Sequence, residues 1–296
     1  MKNTIFTGAG VAIITPMLAD GTVDYEGLGR NIDFQIENGT DAIIICGTTG
    51  ESSTLEDDEH RQCIRFAVDH THNRVPVIAG TGSNDTKYAI ELSREAQELG
   101  ADGLLLVTPY YNKCTQRGLI AHYTAIADSV DIPIILYNVP SRTGVAIDVA
   151  TVKALGQHKN IVAVKEASGN IGYTAKLAAQ CGDLVDIYSG NDDMIVPIMS
   201  LGGKGVISVL SNVMPKETHQ MTQYCLENNF AAAAKLQLEY LNLINKLFIE
   251  VNPIPVKKAM ELLGWNVGDL RLPLIEPSEE HIAYIKRELE NAGCKI

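Results

Sequence analysis

The sequence predicts an α/β fold: an eight-stranded (β/α)8 TIM barrel with a C-terminal extension of three helices. Three observations predict it. Eight short runs rich in Val and Ile recur along the chain, and an amphipathic stretch follows each. The runs are nearly continuous in apolar character, as parallel strands covered on both faces are. After the eighth run the alternation stops and helical character takes over. A chain of 296 residues accommodates a barrel, which takes about 250 residues, and a further layer.

The elements follow in order. GVAIITP (10–16) opens the series, and residues 24–38 carry Leu28, Ile32, Phe34 and Ile36 on a helical spacing. DAIIICG (41–47) and VPVIAGTG (75–82) are the second and third runs. Residues 84–99 carry Ala89, Ile90, Leu92, Ala96 and Leu99. The glycines of ENGTD (37–41) and ELGAD (98–102) read as helix C-caps before the next strand. DGLLLVTPYY (102–111), IPIILYNVP (132–140), IVAVKEAS (161–168), VDIYSGND (185–192) and GVISVL (205–210) complete the eight. An open doubly wound sheet usually shows fewer strands and a Gly-rich turn after the first. Here the first run ends in ITPMLADG, without GxGxxG. Residues 215–250 and 254–291 are helical in character. Within them 231–248 reads as one strong helix with Leu241, Ile244, Leu247 and Phe248 on a stripe, ended by NPIP (252–255). The barrel is assigned to residues 1–228 and the helical domain to 229–296.

Composition narrows the function. A net charge of −12 argues against nucleic-acid binding, which needs a basic surface. The apolar fraction of 46% and charged fraction of 20% are those of a globular protein. No apolar run approaches the ~18 residues of a membrane span, and MKNTIFTGAG lacks the apolar core of a signal peptide. A cytoplasmic protein is expected. Cys46, Cys63, Cys114, Cys181, Cys225 and Cys294 are scattered, with no CxxC pair, and the seven histidines are dispersed. Free thiols and no metal are expected.

In this fold the active site lies at the C-terminal ends of the strands. Those ends are crowded with Thr, Ser, Tyr, Asn and Gly: GTTGES (47–52), TPYYNK (108–113), YNVPSRTG (137–144), KEASGN (165–170) and SGNDD (189–193). Lys165 stands inside an apolar strand. Side chains alternate along a strand, so Ala163, Lys165 and Ala167 share one face, and Val162 and Val164 the other. Facing the barrel interior, the lysine has a depressed pKa and a nucleophilic amine, as Schiff-base chemistry requires. The alternative is a structural lysine paired with a buried acid, or one that snorkels out. Tyr137 also points inward, either as a core tyrosine or as an acid/base beside Lys165. Thr48 and Thr49 are turn residues or substrate ligands. Tyr110 and Tyr111 form an aromatic pair that suits packing or an interface. Arg142 is a solvated loop residue or a carboxylate receptor. LGGKGV (201–206) is weak evidence for a barrel phosphate site.

GTTGES, VTPYYNK, YNVPSRTG and VKEASG, in this order and at these spacings, resemble the dihydrodipicolinate synthase family of class I Schiff-base aldolases. The resemblance runs over essentially the whole chain. It implies a barrel with a C-terminal helical domain, a homotetramer built as a dimer of dimers, and condensation of pyruvate with L-aspartate-4-semialdehyde in diaminopimelate and lysine biosynthesis. No cofactor is implied. Lys165 would form the pyruvate imine, and Tyr137 would be the acid/base. Thr48 and Tyr111 would complete a proton relay, with Tyr111 reaching in from the neighbouring subunit. Thr49, the backbone of Ile207 and Gly190 would hold pyruvate, and Arg142 would receive the semialdehyde carboxylate.

There is one departure. Ser52, Ser53, His60, Asn84 and Tyr110 stand at or near positions that bind end-product lysine in plant and many Gram-negative members. A histidine of that pattern is Asp57 here, and an acidic residue is Tyr88. Loss of that carboxylate removes a bond worth about 1.5–3 kcal/mol, so weak or absent lysine feedback is expected. Rival readings are N-acetylneuraminate lyase or a keto-deoxy-sugar aldolase, and a non-catalytic ligand-binding barrel.

Overall fold

A computed structural model describes residues 4–296, so the first three residues of MKNTIFTGAG lie outside the described residues. Eight strands close into a barrel in sequence order. They are β1 Gly8–Ala12, β2 Ala42–Ile45, β3 Val77–Gly80, β4 Gly103–Val107, β5 Ile134–Asn138, β6 Ile161–Glu166, β7 Asp186–Ser189 and β8 Gly205–Ser208. Every pairing is parallel, and β8 returns to β1 with Ile207 against Gly10. The strands are shorter than the apolar runs, because the last residues of each run leave the sheet to build the mouth.

Alternation along the strands makes two apolar layers. Val11, Ile43, Ile45, Leu104, Leu106, Leu136 and Val164 face outward onto the helices. Ala12, Ile44, Ile78, Leu105, Ile135, Tyr137, Ala163, Tyr188 and Ile207 face inward. Val162 departs from the expected face. The register jumps from Ile134–Ile161 to Ile135–Ala163, so Val162 is the extra residue of a bulge and packs with the interior set.

The outer ring is α1 Tyr25–Glu37, α2 Asp57–Thr71, α3 Thr86–Glu98, α4 Gln116–Ala127, α5 Val149–Leu155, α6 Ile171–Cys181, α7 Ile195–Ser200 and α8 Pro215–Leu226. Asp24, Asp85, Thr115 and Asn170 cap helix N-termini by accepting backbone N–H bonds. Gly39 and Gly100 follow α1 and α3 at φ +90 and +92, the left-handed turn for which glycine is suited.

The extension holds four helices rather than three: α9 Phe230–Glu239, α10 Leu241–Lys246, α11 Ile254–Leu262 and α12 Glu279–Asn291. The run expected as one helix breaks at Tyr240, which leaves helical angles at φ −95, ψ 3 and sinks into the core of the extension. That turn brings Leu243, Ile244 and Leu247 inside, while Phe248 stays 43% exposed. Their core joins Ile14, Val209 and Leu210, so the extension seats on the C-terminal rim of β1 and β8.

A buried ion pair ties this extension to the mouth. Lys257 Nζ donates to Glu51 Oε1 at 2.8 Å and to the Asp269 carbonyl at 2.9 Å. The two side chains are 3% and 1% exposed. The Arg271 N–H donates to the other Glu51 oxygen, and the Arg271 guanidinium forks onto both oxygens of Glu59. Glu51 itself sits at φ +55. Among the described residues no helix is long and apolar enough to cross a membrane. Removing one partner leaves a buried charge uncompensated, which costs about 3–5 kcal/mol. Lys257→Ala should therefore lower unfolding stability by about that amount in denaturant titration. A loss below about 1 kcal/mol would show that water or Arg271 compensates the pair.

Candidate active site

The strand ends of β1–β8 and the segment between α10 and α11 of the extension enclose one cleft of about 1360 Å³. Lys165 lies near the end of β6, in register with Tyr137 of β5 on one side and Tyr188 of β7 on the other. Its amine stands 4.3 Å from the centre of the Tyr137 ring, and the residue is 6% exposed. Burial is the main cause that lowers its pKa to about 7. Asp192 opposes that fall and Arg142 adds to it. The amine is thus substantially neutral near pH 7, which meets the first requirement of a nucleophile. Burial also raises the Tyr137 phenol, against the opposing effects of Arg142 and a hydrogen bond shared with the Thr48 side chain. A Cβ at Gly190 would begin 3.1 Å from Lys165 Cε and 2.7 Å from the Ala167 methyl. Glycine there leaves room for the lysine arm.

Behind the lysine, Asn138 Nδ2 donates to Glu166 Oε2 at 2.7 Å, and the Ser168 N–H donates to Oε1 at 2.7 Å. These bonds lock the ends of β5 and β6 together, so Tyr137 and Lys165 hold their spacing. Thr49 is buried at 2% exposure, and its hydroxyl accepts from Asn252 Nδ2 at 2.9 Å. Arg142 sits on the turn Pro140–Thr143 after β5 and donates from Nη2 to the Asn252 carbonyl at 3.1 Å. Asn252 therefore holds both groups suited to carboxylates. The sequence marked NPIP only as a helix breaker. Asn252 is 5% exposed, and its Oδ1 has no partner.

The structure brings Lys165, Tyr137, Thr48, Thr49, Arg142 and Gly190 to one cleft. Tyr111 is not among its lining residues; it stands 93% exposed at φ +66. The Ile207 side chain is fully buried in the interior layer of β8, and Val209 beyond it lines the cleft. LGGKGV runs into the start of β8, at the end of the barrel opposite the mouth, so a phosphate site built from it has no place at this cleft. Ser52, Ser53, His60 and Tyr110 line an outer lobe of the cleft. Asn84 lies beside them and donates to the Tyr110 carbonyl at 3.2 Å. In that lobe the Tyr88 hydroxyl donates to Asp57 Oδ1 at 2.5 Å, and burial lowers the His60 pKa. All six cysteines are free thiols.

An amine nucleophile and a phenol at the C-terminal mouth of a (β/α)8 barrel define a barrel lyase of the class I aldolase type. The family model for "Dihydrodipicolinate synthetase family" matches residues 5–292, and the chain belongs to that family. A 4-hydroxy-tetrahydrodipicolinate synthase of Lachnoclostridium phytofermentans is 60% identical over 98% of this chain and 99% of its own. The crystal structure of dihydrodipicolinate synthase from Aquifex aeolicus superposes with a TM-score of 0.96 at 47% identity, covering 98% of this chain and 99% of that one. A chloride-inhibited dihydrodipicolinate synthase from Acinetobacter baumannii, complexed with pyruvate, matches at 43% identity and a TM-score of 0.97, covering 99% of this chain and 100% of that one.

Lys165 costs stability in the free protein. Its folded pKa of about 7 lies below the usual 10.5, so the unfolded chain binds the extra proton and stability rises with pH across that window. At pH 7 and below, Lys165→Met should stabilise the fold by about 1–2 kcal/mol and abolish activity. The gain should shrink as pH approaches 10. Equal stability at pH 6 and pH 9.5 relative to the parent would contradict the buried, depressed amine.

Proposed function

We propose that the chain condenses pyruvate with L-aspartate-4-semialdehyde to 4-hydroxy-tetrahydrodipicolinate, the reaction named for its relatives. The observation that carries the reading is the buried Lys165 amine 4.3 Å from the Tyr137 ring. On this reading residues 1–228 carry the chemistry and 229–296 close the site.

The neutral Lys165 amine adds to the pyruvate ketone, and the carbinolamine takes up a proton and loses water to give an iminium. The iminium acidifies the adjacent methyl, and a proton leaves to give the enamine. The enamine carbon attacks the aldehyde. The substrate amine then displaces Lys165 and closes the ring. Tyr137 carries protons to and from these centres, relayed through Thr48 and through Tyr111 of a neighbouring copy. The exposed Tyr111 ring suits such a shared role. Thr49, with Gly190 and the Ile207 backbone, holds pyruvate, and Arg142 takes the carboxylate of the semialdehyde. The full assembly is a homotetramer, and the compartment is the cytoplasm. In the outer lobe, Tyr88 is engaged with Asp57 and supplies no carboxylate, which favours weak feedback by L-lysine.

Borohydride with pyruvate should add one reduced pyruvyl mass at Lys165, located by peptide mapping. A coupled assay with dihydrodipicolinate reductase and NADPH should show turnover that vanishes in Lys165→Ala. Tyr137→Phe should lower kcat by about 10²–10⁴-fold. Trapping without turnover would keep the imine and move the second substrate to another aldehyde. Millimolar L-lysine should leave the rate nearly unchanged; strong inhibition below that would overturn the reading of Asp57 and Tyr88.

A further inference from the structure

Among the described residues the Asn252 side chain makes one hydrogen bond, and it goes to Thr49. Its hold on Arg142 runs through the backbone carbonyl, which any residue would supply. Asn252 is 5% exposed and its Oδ1 is unpartnered, so an amide at this place leaves a buried acceptor bare. That costs free energy. A leucine of similar shape would avoid the cost and keep the carbonyl. What it would lack is the bond from Nδ2 to Thr49.

That bond has a direction. An amide N–H only donates, whereas a hydroxyl has one proton and two acceptor lone pairs. At 2.9 Å, Asn252 Nδ2 takes up a lone pair of Thr49 Oγ1. The Thr49 proton is left for another acceptor, and Thr49 lines the cleft. An ionised carboxylate can only accept, so it needs that proton to be free. The two segments are also pinned beside this contact. Thr15 Oγ1 donates to the Gly50 carbonyl at 2.8 Å, and Lys257 Nζ donates to Glu51 Oε1 at 2.8 Å. The turn that carries Thr49 and the segment that carries Asn252 are thus held in place by bonds other than their own.

We propose that Asn252 is a positioning residue that sets the polarity of the Thr49 hydroxyl: its amide occupies a lone pair and turns the proton towards the carboxylate of pyruvate. The proposal rests on the reading above that places this carboxylate at Thr49. The side chain of Asn252 then serves the first substrate, and its backbone carbonyl, through Arg142, serves the second.

The test uses the full chain and two readouts. One is the pyruvate concentration that gives half the maximal rate of borohydride trapping at Lys165, followed by mass. The other is the KM for L-aspartate-4-semialdehyde in the coupled assay at saturating pyruvate. Asn252→Ala removes the donor and keeps the carbonyl. It should raise the half-saturating pyruvate about three- to ten-fold, the worth of one ordinary hydrogen bond, and leave the semialdehyde KM within about two-fold. Once Thr49→Val has removed the hydroxyl, Asn252→Ala should add little, because the two residues act as one unit. Asn252→Asp keeps the shape but offers Thr49 an acceptor, so the hydroxyl turns its proton away from the cleft. Its rise should exceed that of Asn252→Ala and should be larger in the parent than in Thr49→Val; it decides the matter if Asn252→Ala does not fold by circular dichroism. Equal rises with and without the Thr49 hydroxyl would overturn the proposal. A semialdehyde KM that climbs in step with pyruvate would assign Asn252 to bracing alone and overturn it too. A Thr49→Val chain that takes pyruvate as the parent does would sink the place given to the carboxylate, and the proposal with it, while leaving the imine intact. Absence of any Lys165 adduct in the parent would sink the imine reading as well.

Discussion

The site depends on one register. Tyr137, Lys165 and Tyr188 lie side by side on β5, β6 and β7, and the closed barrel turns all three inward. A lysine in that position is only 6% exposed. Its amine is therefore held in a medium that favours the neutral form. The adjacent pair Asn138 and Glu166 points the other way and fastens the same two strands from behind. The bulge at Val162 lies upstream of this clamp, so the irregularity in the ladder is absorbed before the reactive residues are reached.

The barrel and its reactive pair were legible in the sequence because their determinants are local. Eight apolar runs, period-two alternation and glycine stops are written within windows of a few residues. Lys165 was conspicuous because it follows four apolar residues in a row, on the face opposite Glu166. Val162 was misplaced because a bulge is a property of two strands at once. The break at Tyr240 was missed because the sequence around it is helix-favouring throughout, and tertiary burial of the tyrosine overrides that preference.

Asn252 and Lys257 were illegible for a different reason. Each works through a contact some 200 residues away: Asn252 on Thr49, and Lys257 on Glu51. No local pattern announces such a pairing. The same holds for Asp192, which accepts from the Val209 and Leu210 N–H groups just past the end of β8. The resemblance to a family named the residues proposed to bind pyruvate. It did not identify what holds them, and here the holding groups come largely from the C-terminal helices and their connecting loops.

That division of labour makes the helical extension a latch on recognition rather than an appendage. Asn252 grips Thr49 through its side chain and Arg142 through its carbonyl, so both groups proposed to receive carboxylates are held by a segment outside the barrel. Lys165, Tyr137 and the clamp behind them are not. The nucleophile is thus braced from within the barrel, while the groups proposed to select its acids are braced from the extension.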